Sequence, residues 1–513
     1  MAPTFARNTI LGALSGAAIT LSGFVGSAIA ARLLGPDDLG VVAYVIWCVT
    51  VAIAVATMGS DVVQQRFIPN LRAADRNDEV DGLIGAITRL SMVVALVVGV
   101  VLFLWLDGPG RGALRGSSEQ AQIIVIVVAL TWFICWRMSD LYLFNLRGEQ
   151  RFDKLARVST LSALLRVTTT VVGAWLFGIP GTLAGNIAGT IVPASRVFPQ
   201  LRKKPRVDRG LRRELVGFTM VSWTIAIIGN LVFGRTQIIF LEHYATLAAV
   251  GLFAVALTVA EIAAQLPQLL LSALLPRFSE QSGQGAHDRM MSLYKTMTAL
   301  MAMLMLPLCL GLAAIAPALI PFIFGADFAD AAPVASILLI ALAFSSLGGT
   351  TLQLILSLGK TRILLVSNAV GLAGVVLLGF VLIPHYGLMG AAWSRGIVMV
   401  LVIAIEIVCA AVQLGFHPPY RALGVIALAA VAQGAVAYGV VVNIGGAWSL
   451  VIATPAAVIT YLVALRLFGV MRLVDPELAS RLLSRVPARA KPLASLILGP
   501  LSSPPTTERA ERD

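Results

Sequence analysis

Eight charged side chains lie inside otherwise apolar stretches of this sequence. They are the residues most able to bind a ligand or an ion. A charge that faces lipid near the middle of a bilayer costs about 2.5–3.5 kcal/mol, so each of these groups needs a local partner or a ligand. Guanidinium groups bind phosphate oxygens through paired hydrogen bonds, whereas an embedded carboxyl group can hold a proton or a cation. The eight residues are Arg89, Arg137, Asp140, Arg166, Arg235, Glu261, Arg395 and Glu406.

The arginines predict a cationic binding site. Arg166 lies near the middle of its apolar stretch, Arg235 and Arg395 lie in the outer parts of theirs, and Arg32 stands at the outer end of another. We expect these four side chains to line a central chamber that could hold an anionic ligand. The alternative is that each arginine pairs with a carboxylate or a carbonyl group and fastens two helices together.

The acidic residues predict a site for ion coupling. Glu261 lies near the middle of its stretch, six residues before Pro267. Proline removes a backbone hydrogen bond and permits bending, and a buried carboxyl group is easier to protonate than an exposed one. Glu261 is therefore a candidate for a protonatable or cation-binding switch, with a salt bridge to a basic neighbour such as Arg235 as the alternative. Asp61 and Glu406 are further candidates for this role.

Other embedded residues are expected to organise the helices. Gly181, Gly185 and Gly189 are four residues apart and would share one helix face, where another helix could approach closely. Arg137 and Asp140 are three residues apart and are expected to form a local pair.

The elements that must position these groups are transmembrane helices. The chain is 58% hydrophobic and 12% charged, with a mean hydropathy of +0.89, which leaves too little polar surface for a soluble protein of 513 residues. About 20 apolar residues cross the hydrocarbon as a helix, and strand alternation is absent, so the pattern predicts an all-α polytopic membrane protein. We place about fourteen spans near 8–31, 40–60, 83–106, 121–144, 158–178, 181–199, 216–240, 248–275, 296–325, 333–357, 363–384, 388–414, 421–443 and 447–470.

Basic residues give the orientation. Of the 38 lysines and arginines, 30 fall in alternate gaps between spans or at the termini on the same side, and three fall on the other side. Positive charge favours the cytoplasmic side, so both termini are predicted to be cytoplasmic and the number of spans to be even. This rule and attraction to anionic lipids account for the net charge of +12 without a nucleic-acid partner.

A weak internal repeat divides the chain. A shift of 211 residues spans six helices, so both copies would cross the membrane in the same direction, as in transporters built from parallel repeats. We therefore expect a six-helix lobe at 1–205, a second at 206–415, two more helices at 416–471 and a partly disordered cytoplasmic tail at 472–513. The residue pairs brought together by the shift are Gly40 and Gly251, Arg66 and Arg277, Gly148 and Gly359, and Arg151 and Arg362.

Four segments resemble a known family. "ARLLGPDDLG" at 31–40 resembles the first external turn of polysaccharide exporters, and "GADFADAAPVASILL" at 325–339 resembles a signature of their second lobe. "LSLGKTRILLVSNAVGL" at 356–372 and "LIPHYGLMGAAWSR" at 382–395 resemble two further signatures of that lobe. The whole chain is similar to Wzx-type flippases of the multidrug/oligosaccharidyl-lipid/polysaccharide (MOP) superfamily, which also contains the MATE transporters.

This resemblance implies a transporter. The expected cargo is a polyprenyl-diphosphate-linked oligosaccharide, moved across the bacterial plasma (inner) membrane by alternating access of two lobes for O-antigen, capsule or exopolysaccharide assembly. Membrane lipids are the expected surroundings, and a polysaccharide polymerase and glycosyltransferases are possible partners. The alternatives are a lipid II flippase or a multidrug/cation antiporter of the same superfamily. The short external loops argue against an enzyme, and the sequence predicts no cofactor and no metal site.

Overall fold

The computed structural model describes residues 2–114, 118–203, 209–265, 267, 271, 274–283 and 287–468, and within them every regular element is helical. Short 3₁₀ helices follow α3 (Pro109–Leu114) and α11 (Ala326–Phe328). The predicted tail at 472–513 lies outside the described residues. The helices are α1 (Ala2–Thr57), α2 (Ser60–Ala73), α3 (Asn77–Asp107), α4 (Glu119–Gly148), α5 (Phe152–Ser195), α6 (Phe198–Leu201), α7 (Arg209–Phe233), α8 (Gln237–Tyr244), α9 (Leu247–Ala263), α10 (Leu274–Gly283), α11 (His287–Phe324), α12 (Ala331–Ser345), α13 (Gly348–Ser357), α14 (Thr361–Leu414), α15 (Tyr420–Ile444) and α16 (Trp448–Leu467).

The helices confirm a polytopic α-helical membrane protein. In the described part of the chain, nine helices are long and apolar enough to cross a membrane, or ten if the bent pair α12 and α13 forms one span. Their outward faces carry the apolar side chains that lipid requires. On α3, for example, Leu90, Val93, Leu96, Val97 and Leu104 are all more than half exposed.

Three of the long helices are broken at a glycine. Helix α1 is interrupted at Gly35, α5 at Gly178 and α14 at Gly387, and all three glycines have positive φ values, which residues with a Cβ rarely adopt. A straight helix of 44 residues, the length of α5, would extend about 66 Å, roughly twice the hydrocarbon thickness. Each of these helices therefore holds two of the predicted spans, which is consistent with fourteen spans in all.

The arms of α5 form a tight antiparallel hairpin. A Cβ atom on Gly181 would collide with the backbone of Gly173, and a Cβ atom on Gly185 would collide with Thr170. A Cβ atom on Gly189 would lie 2.9 Å from the Cβ atom of Arg166. These contacts confirm the close approach predicted for the glycine face, and the approaching helix is the preceding span.

Two glycines related by the 211-residue repeat also meet. A Cβ atom on Gly251 of α9 would collide with the carbonyl oxygen of Pro36 and lie 3.0 Å from the backbone nitrogen of Gly40. The second arm of α1 and α9 thus approach each other backbone to backbone. Two positions that the predicted repeat would make equivalent therefore lie next to each other.

Internal contacts divide the described residues into two compact units. Unit 1 comprises Met1–Gln265, Ile323–Leu338 and Asn368–Met399, and unit 2 comprises Leu266–Phe322, Leu339–Ser367 and Val400–Asp513. These units do not coincide with the lobes expected at 1–205 and 206–415, so the division into lobes stays a prediction.

Each unit has its own apolar core. Side chains of α2 and α3, among them Phe67, Ile68 and Leu83, form one cluster in unit 1. In unit 2, Tyr294 and Phe416 are at the centre of another. These clusters hold the helix frame on which the embedded polar groups are mounted.

Candidate functional site

Arg166 extends from the first arm of α5 into the interior of unit 1. Its guanidinium lies against Gly23 of α1, where a Cβ atom would be 3.3 Å from Nη1. Among the described residues no carboxylate or carbonyl group accepts a hydrogen bond from this guanidinium. Its donors remain available to a group that enters the cavity beside it.

Arg235 lies in the short break between α7 and α8, where Gly234 ends the helical run. Its Nε donates to Oε1 of Glu261 at 3.0 Å and its Nη2 donates to Oε2 at 2.6 Å. This fork-to-fork arrangement is the strongest form of an arginine–carboxylate pair. Glu261 thus forms the salt bridge to Arg235 that the sequence analysis gave as the alternative to an ion switch.

Arg395, from the second arm of α14, closes the end of α7. Its Nη2 donates to the carbonyl oxygen of Phe233 at 2.8 Å, and its Nη1 donates to that of Gly234. The last carbonyl groups of a helix have no partner within the helix, and Arg395 satisfies two at this break. It is 8% exposed, and the charges of Arg235 and Glu261 both act on it.

Arg166 and Arg235 line one small polar cavity, here called the cationic cavity. Hydroxyl and amide groups of Ser27, Thr170 and Asn186 also line it. Its volume of ≈ 60 Å³ has room for a few water molecules. Together with Arg395 and Glu261 the cluster carries three positive charges and one negative charge, which gives +2. Such an environment attracts an anion and repels a cation.

The other predicted site residues lie elsewhere. Arg32 is exposed, and its Nε donates to the carbonyl oxygen of Ile323 at 2.7 Å, so the structure does not bring it together with Arg166 and Arg235. Asp61 lies in the first turn of α2. Glu406 belongs to unit 2, where it is 3% exposed and accepts a hydrogen bond from Ser367 Oγ at 3.0 Å.

Arg137 is engaged differently from the local pair predicted for it. Its Nη2 donates to Ser60 Oγ at 2.7 Å and to Ser91 Oγ at 2.8 Å. Asp140 and Asp61 act on it electrostatically, but no direct ion pair with either forms. The prediction of a direct Arg137–Asp140 pair is wrong because the guanidinium points across to α2 and α3 instead of along its own helix.

Sequence reasoning missed a second polar cavity in unit 1. Trp132, Trp136 and Asp140 of α4 line it, and Arg166 and Asn186 line both this cavity and the cationic cavity. The two indoles are stacked, with ring centroids 5.2 Å apart and an angle of 17° between planes. The signal was present in the sequence, since residues spaced by four share a helix face.

Comparison with known proteins identifies one matching family and a similar protein whose name states a transport role. A family model described as "Polysaccharide biosynthesis protein" matches residues 29–333, which is more than half of the chain. The succinoglycan biosynthesis transport protein ExoT of Rhizobium meliloti (strain 1021) is 24% identical over 362 residues. The matched region covers 66% of this chain and 67% of that protein.

Solved structures with the same fold are membrane transporters. The lipid II flippase MurJ in an inward closed conformation matches with a TM-score of 0.71 at 14% identity, over 90% of this chain and 98% of that one. A multidrug resistance MATE transporter of the MOP superfamily in an inward-facing conformation matches with a TM-score of 0.68 at 15% identity, over 77% and 94%. At these identities the likeness shows a common fold.

Proposed function

This chain belongs to the family of polysaccharide biosynthesis proteins, and from that premise we propose that it is a flippase for a lipid-linked glycan. The cargo is a polyprenyl-diphosphate-linked oligosaccharide that moves from the cytoplasmic to the outer leaflet of a bacterial inner membrane. The named transport role of the succinoglycan relative supports this assignment. The polymer is assembled at the cell surface by other proteins, with glycosyltransferases and a polymerase as partners of the pathway.

The observation that carries the proposal is the unsatisfied guanidinium of Arg166 beside Arg235 in the cationic cavity. A diphosphate presents several anionic oxygens to which planar guanidinium groups bind through paired hydrogen bonds. Arg166 has no acceptor among the described residues, whereas Arg235 already holds Glu261. The cargo therefore binds first to Arg166 and then competes with Glu261 for Arg235.

Glu261 supplies a route to ion coupling in this scheme. Once a phosphate oxygen replaces it on Arg235, the released carboxylate loses its counter-charge inside the bundle. The Glu261 side chain is 42% exposed, so the released carboxylate is accessible to a proton or a cation. Cargo binding and ion uptake would then be linked through the single Arg235–Glu261 pair, without any further contact between cargo and ion.

Alternating access supplies the translocation step. The lobes at 1–205 and 206–415 open in turn to the two sides of the membrane, with both termini in the cytoplasm. The volume of ≈ 60 Å³ is too small for a sugar, so the cationic cavity has to widen for the head group to enter. The polyprenyl chain stays in lipid throughout.

The function is tested in proteoliposomes that contain the purified full-length protein. A polyprenyl-diphosphate-linked oligosaccharide, fluorescently labelled on its sugar, is placed in both leaflets, and external quencher reports movement between them. Protein-dependent exchange is expected, and it should be lost in Arg166→Gln. An absence of exchange by wild-type protein that binds the lipid would overturn the proposal.

The alternatives give different results in the same vesicles. A multidrug/cation antiporter would move an organic cation against a proton or sodium gradient and leave the lipid in place. The net charge of +2 around the cationic cavity disfavours that cargo. A lipid II flippase would move lipid II and discriminate against other glycans on the same diphosphate.

A further inference from the structure

The second polar cavity of unit 1, here called the aromatic cavity, lies among α1, α4 and the two arms of α5. It has a volume of ≈ 220 Å³, somewhat below the roughly 300–1,000 Å³ of pockets that hold drug-sized ligands. The residues that matter for its chemistry are Trp132, Trp136, Asp140, Ser162, Arg166 and Asn186. Its size suits one small polar ring better than a chain of them.

The tryptophans give this cavity an unusual wall. In membrane proteins tryptophan concentrates where the bilayer meets water, and Trp175 of α5, 74% exposed, is an example of a freely accessible indole in this chain. Trp132 is instead 4% exposed and stacked on the partly buried Trp136. Both face a cavity that also contains charged and hydroxyl groups. A flat apolar surface next to polar groups fits a ligand with an apolar face and a polar edge.

Polar groups with spare hydrogen-bonding capacity surround the indoles. Ser162 Oγ is buried and has no hydrogen-bond partner among the described residues. The side-chain amide of Asn186 also makes no hydrogen bond to the described residues, although its backbone carbonyl accepts from Thr190. A buried polar group without a hydrogen-bond partner destabilises the protein, and an amide offers both donors and acceptors. A ligand rich in hydroxyl groups would satisfy both residues.

Charge selects among possible ligands. Asp140 is the acidic group in the lining, and Arg147 and Arg166 are the basic ones, so the lining carries a net charge of +1. Arg137 and Arg147 both act on the Asp140 carboxylate, as does the Trp136 indole. The oxygens of the Asp140 carboxyl group can accept hydrogen bonds from hydroxyl groups, while the positive balance of the lining disfavours an organic cation.

We infer that the aromatic cavity binds the sugar residue next to the diphosphate of the lipid-linked glycan. This inference rests on the proposed function and adds the place of the first sugar. Arg166 and Asn186 line both cavities, so a phosphate held by Arg166 has its attached sugar within reach of Trp136. The apolar face of the ring lies on the indole, and its hydroxyl groups bond to Asp140, Ser162 and Asn186. The protein thereby distinguishes a glycosylated carrier from the bare carrier lipid.

The test compares two probes on the full-length protein in nanodiscs. One is a bacterial polyprenyl diphosphate that carries a single hexose, with glucose and galactose used separately, and the other is the same lipid without sugar. Dissociation constants are measured for wild type, Trp136→Ala, Trp136→Phe and Arg166→Gln. Trp175→Ala is the matched control, because it removes an indole that is 74% exposed.

The wild type is expected to bind at least one sugar-bearing lipid about tenfold more tightly than the bare lipid. Trp136→Ala should bring this ratio to within twofold of unity and leave the affinity for bare lipid unchanged. Trp136→Phe should keep most of the preference, Trp175→Ala should keep all of it, and Arg166→Gln should weaken the binding of both probes.

Three results would overturn the inference. If the wild type binds all probes equally, the sugar site does not exist although the diphosphate site stands. An unchanged preference in Trp136→Ala would place the sugar elsewhere. Binding of none of the probes would remove the proposed function, and the sugar site with it.

Discussion

Arg137 and Arg166 belong to consecutive helices of unit 1, and the difference between them separates a structural charge from a binding charge. Arg137 is 1% exposed and bonds to two serines, while Asp140 and Asp61 offset its charge. Arg166 is only partly buried, has no acceptor among the described residues and faces two cavities. The more deeply buried arginine is therefore not the better candidate for binding a ligand. Arg137 also has two donors, Nε and Nη1, without a partner among the described residues, but of the two guanidinium groups it is that of Arg166 that lines the two cavities and is available to a ligand.

The largest effect expected from this comparison is on stability. Arg137→Leu removes the partner of Ser60 and Ser91 and one of the two positive charges that act on Asp140 and Asp61, the other being that of Arg147. We expect a loss of about 3 kcal/mol in unfolding free energy, measured by denaturant titration in detergent. The fraction that folds should still bind the bare diphosphate lipid. A stable Arg137→Leu protein that no longer binds it would reverse the roles assigned to the two arginines.

Arg166→Gln should give the opposite result. Loss of a charge-assisted contact with phosphate costs about 1.5–3 kcal/mol, so flipping in proteoliposomes should fall at least about tenfold. The midpoint of unfolding should stay the same or rise, because Arg166 has no hydrogen-bond acceptor to lose among the described residues. Arg89→Gln is the matched control, since that guanidinium is exposed and bonds to the carbonyl oxygens of Leu201 and Lys203. Equal losses in the two variants would show that the effect is not specific to the cavity.

Glu261→Gln should have an intermediate effect. The change releases the fork of Arg235 and raises the charge of the cluster, so the affinity for bare diphosphate lipid should increase roughly three- to fivefold. Flipping should also lose its dependence on a proton or sodium gradient. Retention of the full gradient dependence would exclude Glu261 from coupling and leave it as the anchor of Arg235.

Glu406→Gln is expected to have the smallest effect. The carboxyl group lies in unit 2, and Ser367 can donate to a glutamine oxygen at the same position. We expect a change of less than about 1 kcal/mol in stability and flipping within twofold of wild type. A loss of gradient dependence in this variant, with Glu261→Gln unaffected, would move the ion site to unit 2.

The sequence predicted the kind of molecule and some of its contacts. Apolar length and charge bias were sufficient for the helices, and glycine spacing was sufficient for the tight hairpin of α5. The salt bridge between Arg235 and Glu261 was among the stated alternatives. The predictions of the helices and of the hairpin succeeded because they depend on local composition or on spacing along the chain.

The partners across helices could not be predicted in the same way. Arg395 donates to backbone carbonyl groups at a helix end 161 and 162 positions earlier in the chain. Because every residue has a backbone carbonyl group, the sequence does not mark these two as the acceptors. Arg137 donates to serines of two other helices and not to Asp140 of its own helix. The position of Arg32 beside Ile323 likewise follows from how distant segments meet. Such choices depend on tertiary geometry, which a pattern in one helix does not contain.

The glycines of the α5 hairpin have a consequence for the entropy of binding. With no side chain at Gly189, the second arm lies directly against the stem of Arg166. The missing side chain at Gly185 allows the same close approach at Thr170. An arginine side chain has about 2 kcal/mol of rotamer freedom to lose when it is fixed. Here much of that loss occurs when the hairpin folds, before any ligand arrives. The cargo then meets a guanidinium already restricted in its motion, and more of the contact energy remains as affinity.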